Sequence, residues 1–109
     1  MGQYSPGPAM SARAGYRMAR IYQTPDMGEA QARVAIVEQP GEADLCVHRV
    51  SSWGLASGDT LWYITRDKQD ATAWVYFCGR GFAQVLVCFV DNYGEAGWQR
   101  AHPMRGRFG

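Results

Sequence analysis

Gly81-Phe82-Ala83-Gln84-Val85-Leu86-Val87-Cys88-Phe89-Val90-Asp91-Asn92-Tyr93-Gly94-Glu95-Ala96 is the stretch on which the reading of this chain turns. It begins and ends on a Gly-x-Ala triplet, with an apolar run and a polar turn between. The same triplet stands at Gly28-Glu29-Ala30, Gly41-Glu42-Ala43 and Gly54-Leu55-Ala56, and Gln69-Asp70-Ala71 fills the gap before Gly81. The alanines fall 13, 13, 15, 12 and 13 residues apart, which marks an internal repeat. Four residues beyond them lie Val34, Val47, Val75 and Val87. Trp62 joins this series when Gly58-Asp59 is taken as a two-residue insertion in the third unit, and Ile21 supplies a leading copy.

The runs are short, rich in β-branched and aromatic residues, and bounded by Gly, Asp, Asn and Pro, so they read as strands. We place strands at 20–24, 33–38, 45–50, 60–66, 73–78, 85–91 and 97–101, paired antiparallel. The fold class is all-β, built from about seven strand-plus-turn units of roughly 13 residues. One unit cannot bury its apolar face alone, so the copies must pack around a shared core. The triplet glycines are expected at turn positions with φ > 0, with the alanines allowing close approach.

Length and charge bound the function. At 109 residues there is room for one domain. Eleven basic and ten acidic residues leave a net charge of +1, too little for a field that holds nucleic acid or an anionic membrane. Three cysteines, Cys46, Cys78 and Cys88, make no disulfide framework and suit a reducing, cytoplasmic setting. Residues 1–17 read as a disordered tail or an added extension, 18–102 as the repeat-built domain and 103–109 as a C-terminal tail. No apolar run reaches the length of a membrane helix.

The elements Ile21-Tyr22, Gly41-Glu42-Ala43-Asp44, Leu61-Trp62-Tyr63-Ile64, Trp74-Val75-Tyr76-Phe77 and Val87 through Trp98 together resemble a family of small bacterial proteins named for a septoil knot, a backbone with seven crossings. The likeness covers residues 19 to about 102. It implies a compact domain wound circularly around one core, a knotted chain and no established activity. Taken with the repeat, it also implies slow unfolding. This chain departs from the pattern in the insertion after Ala56, in Gln69, and in Ala35, His48 and Cys88, where tyrosine stands at Tyr22, Tyr63 and Tyr76.

Chemistry has few candidates. Cys46 and His48 share a strand face and form the one candidate thiol nucleophile and base, yet both occupy architectural slots of the repeat. Cys46, His48, Cys78, Cys88 and His102 match no metal-ligand spacing, so neither metal nor cofactor is expected. Arg80-Gly81-Phe82-Ala83-Gln84-Val85-Leu86-Val87 imitates an RNA-recognition signature but lacks its two later aromatics. Gly54-Leu55-Ala56-Ser57-Gly58 has alanine where a nucleophile elbow needs serine. Glu29, Glu42, Asp70 and Glu95 share one repeat slot and would form an acidic rim for a basic partner if wound in a circle. The expected function is a non-enzymatic, kinetically stable structural or protein-interaction module, monomeric and without membrane or nucleic-acid partners. The alternatives are a thiol enzyme using Cys46 and His48, or a single-stranded nucleic-acid binder.

Overall fold

The computed structural model describes residues 19–108, apart from the side chain of Trp53. The reading of 1–17 as a tail lies outside the described residues. Seven strands follow in order: β1 Ala19–Gln23, β2 Ala32–Ile36, β3 Leu45–Arg49, β4 Leu61–Thr65, β5 Ala73–Phe77, β6 Val85–Phe89 and β7 Gly97–Trp98. Each falls on a predicted strand; β1 is shifted by one residue and the other six are a residue or more shorter. Single 3-10 turns occupy five of the six connections, at Met27–Glu29, Pro40–Glu42, Trp53–Leu55, Arg80–Phe82 and Tyr93–Glu95.

The strands are ordered β4-β1-β5-β2-β6-β3, and β3 returns to β4 to close a six-stranded barrel. Every pairing in that ring is parallel, and only β7 runs antiparallel, against β3. The expectation of antiparallel pairing is therefore wrong. Alternation of apolar and polar residues is the same in either case; direction is set by the connections. Each connection leaves the C-terminal end of a strand and returns to the end where the strand began.

Most connections step over one strand, so β1, β2 and β3 make a first lap, and β4, β5 and β6 fill the gaps in a second. The exception is β3 to β4, which moves to the adjacent position. That single step starts the second lap out of phase with the first. It is also where the sequence carries its insertion. Gly58, with φ 58°, turns the chain there beside the Ser57–Leu61 bridge.

Stagger between neighbours produces three equivalent ladders, Gln23–Val75–Ala32, Ile36–Val87–Leu45 and Arg49–Trp62–Ala19. Each joins the end of one strand to the middle of the next and the start of a third. The repeat positions Ile21, Val34, Val47, Trp62, Val75 and Val87 are all 0% exposed and form the central ring of the core. Ala19, Ala32, Leu45, Ala73 and Val85 fill the layer nearer the strand starts. The small alanines leave room there for Met104 and Phe108, which join the same cluster. Residues 103–109, read from the sequence as a tail, thus include part of the core.

The repeat alanines Ala30, Ala43, Ala83 and Ala96 end the 3-10 turns, each donating its backbone N–H back across the turn. Their glycines do not have positive φ; among the described residues that conformation is confined to Gly58, Gly97 and Gly106. At Gly28 and Gly94 the reason for glycine is close approach: a Cβ would lie 3.2 Å from the side-chain Oδ1 of Asp26 or Asn92 that caps the turn.

Candidate site at the open end of the barrel

The two ends of the barrel differ. Met104 and Phe108 cover the end where the strands begin. At the other end, two residues beyond the central ring, stand Gln23, Ile36, Arg49, Ile64, Phe77 and Phe89. By the two-residue period of a strand these share the inner face. Phe77 and Phe89 pack onto the core, whereas Ile36 is 44% and Ile64 37% exposed. The barrel thus presents an apolar mouth to solvent.

Arg49 is the cation of this mouth. Its guanidinium carbon lies 4.5 Å from the Phe89 ring centroid, and the Phe89 ring meets Trp62 edge-on at 6.0 Å. No carboxylate among the described residues pairs with Arg49. A cleft of about 420 Å³ opens beside it, with Ile64, Phe89, Val50 and Val90 as apolar wall and Arg49, His48, Ser51 and Asp91 as polar groups. The His48 Nδ1 lies 3.0 Å from the Val90 carbonyl oxygen, which can only accept, so Nδ1 carries the proton. Nε2 remains as an acceptor. Such a cleft can hold an apolar group with an anion against Arg49.

The thiol pair does not form a nucleophile with a base. Cys46 is buried on the outer face of β3 in a cluster with Val37, Ala43, Cys88 and Val90. Burial pushes its thiol above the ordinary range, with Cys88 and Glu95 adding to the effect. Cys88 is raised by burial and then by Glu95. The His48 Nδ1 is directed at the Val90 carbonyl and not at the Cys46 thiol. Among the described residues no three His, Cys, Asp or Glu side chains cluster as metal ligands.

Of the four carboxylates in the shared repeat slot, Glu29 pairs with Lys68 at 3.6 Å, Glu42 with Arg80 at 3.7 Å and Asp70 with Arg20 at 3.3 Å. Glu29 also accepts from the Thr24 hydroxyl. Glu95 is exposed on its turn. In the RNA-like stretch Val85 and Val87 lie in the core, and Phe82, 70% exposed, sits on a 3-10 turn rather than a sheet surface. No aromatic platform for stacked bases is built there.

Sequence reasoning missed one recurring device. The residue after four of the six repeat alanines clamps the backbone of the neighbouring strand from both sides. Gln31, Asp44, Thr72 and Gln84 donate their own N–H to the carbonyls of Trp74, Leu86, Arg20 and Arg33. Their side-chain oxygens accept the N–H of those same four residues. An acceptor-bearing side chain in a fixed slot was the available signal, obscured because Gln, Asp and Thr fill it in turn.

No helix among the described residues is long and apolar enough to cross a membrane. Searches of curated proteins and of solved structures find no match. The family model of the 7(1) septoil knot domain matches residues 18–99, a stretch that contains all seven strands and every repeat triplet. The chain belongs to the 7(1) septoil knot domain family.

Proposed function

We propose that this chain is a non-enzymatic binding module that holds a protein partner at the open end of its barrel. The observation that carries the reading is the apolar mouth with Ile36 and Ile64 exposed beside an Arg49 that pairs with no carboxylate among the described residues. Exposed apolar surface rimmed by polar groups is what a contact site needs. A partner segment that offers apolar side chains and one carboxylate complements it. The buried thiols support the same reading, since neither Cys46 nor Cys88 is placed to act as a nucleophile. Three free cysteines suit a reducing compartment, and we place the module in the cytoplasm.

The test compares partner capture by the native chain with that by Ile36→Asp, Ile64→Asp and Arg49→Glu variants of matched thermal stability. Partners retained by the native chain and lost by all three support the mouth as the contact site. Capture unchanged by all three overturns it. A Cys46→Ser variant that keeps the partners but abolishes an assigned activity would instead establish the thiol enzyme.

A further inference from the structure

The closed end of the barrel is sealed by residues beyond the family match, which ends at residue 99. Residues 104–108 fold across it. Gly106, with φ 86°, permits a tight turn in which the Arg107 N–H donates to the Met104 carbonyl at 3.0 Å. The turn aims Phe108 into the barrel, where its side chain is fully buried. Its ring lies 5.2 Å from that of Trp62 and 6.3 Å from that of Trp98.

The contacts are those by which a protein holds a peptide. One carboxylate, that of Asp59, accepts the backbone N–H of Gly106 and, at 3.1 Å, that of Phe108. It also accepts the Trp98 indole N–H at 2.9 Å, which fixes the wall of the aromatic slot. The Thr72 hydroxyl lies 2.7 Å from the Phe108 carbonyl oxygen and donates to it. Met104 fills a second apolar position, while Arg105 and Arg107 remain exposed. Main-chain polar groups supply orientation and two side chains supply apolar burial.

The segment takes no part in the sheet. None of residues 99–108 belongs to a strand, and the link 99–103 is largely exposed. All six strands of the ring pair with one another without it.

We propose that the closed end is a peptide-binding site, occupied in cis by residues 104–108, for a segment carrying an aromatic residue two places after a glycine. A tethered occupant has a high effective concentration, so a free peptide gains the site only when residues 104–108 have left it. The site is gated by this segment of the same chain.

The test uses the full chain and a peptide of residues 101–108 amidated at its end, followed by the fluorescence of Trp62 and Trp98. Phe108→Ala frees the slot. This variant should bind the peptide saturably, and at least tenfold more tightly than the native chain does. A peptide with alanine in place of Phe108 should not bind, and adding Asp59→Asn to the variant should weaken binding at least tenfold. In the native chain, hydrogen exchange at Gly106 and Phe108 should be at least tenfold faster than at Ile21 and Val75. A folded Phe108→Ala chain with no saturable binding overturns the proposal. So does a Phe108→Ala chain that fails to fold, or exchange at Gly106 and Phe108 only through global unfolding, since either makes the segment inseparable from the core.

Discussion

At the residue scale, burial and satisfied hydrogen bonds decide which side chains matter. Asp44 illustrates this: it accepts the Leu86 N–H at 2.9 Å and meets Arg100 and His102, each at 3.6 Å. Removing an acceptor from a partly buried backbone donor costs about 1–3 kcal/mol, so Asp44→Ala should lower the unfolding free energy in urea by about that much. Arg49→Met, at a site without such a bond, should stay within about 0.5 kcal/mol of the native chain. The cysteines are separable by exposure. Iodoacetamide at pH 8 should label half-buried Cys78 first, and Cys46 and Cys88 only as the chain unfolds, which peptide mass spectrometry reads directly. Their raised thiols carry a pH consequence. The unfolded chain ionises at lower pH than the folded one, so stability should hold below the ordinary thiol range and fall as pH rises through it. A Cys46→Ala, Cys88→Ala variant should show a shallower fall between pH 8 and 10. The central ring was legible here because six large apolar residues recur in one slot; the clamps were not, because three residue types serve one geometry.

The elements follow a rule of parity that the sequence states and a rule of direction that it does not. Strand positions were readable from the alternation and from the triplets. Direction depends on whether a connection returns to the end where its strand began or turns back at once, and apolar patterning is indifferent to that choice. The turns differ among themselves for a related reason. At Gly58 the backbone is left-handed, φ 58°, and Gly58→Val should cost about 1–2 kcal/mol. At Gly41 and Gly81 the backbone is ordinary, and nothing lies within 4 Å of an added Cβ. Alanine at either place should raise the midpoint of thermal unfolding, by about 0.4–1 kcal/mol of added stability. Equal losses at Gly41, Gly58 and Gly81 would instead restore the view that every repeat glycine serves the same backbone need.

For the whole molecule, contacts are dominated by residues far apart in sequence. β1 pairs with β4 and β5, and β3 closes the ring on β4 while also holding β6 and β7. Such a topology is slow to assemble. We propose slow unfolding as well, because strands interleaved in two laps must separate together. In denaturant just beyond the midpoint, the native half-life should be hours or longer; unfolding within milliseconds would remove the interleaved barrel as a kinetic barrier. The insertion at Gly58-Asp59 was visible in the sequence as an irregularity. Its meaning was hidden until the strand order showed it as the step between laps.

That interleaving sets a condition on synthesis. β1, β2 and β3 never touch one another as neighbours in the sheet; each waits for a strand from the second lap. A chain emerging from the ribosome with only residues 19–49 exposed therefore has strands without partners, and its first correct pairing needs β4. Neither half is a folding unit. A fragment of residues 18–57 should show no strand signal by circular dichroism, and the same should hold for 58–109. The ring is complete only when β6 has left the exit tunnel, so the nascent chain must stay accessible and unaggregated through most of its own translation.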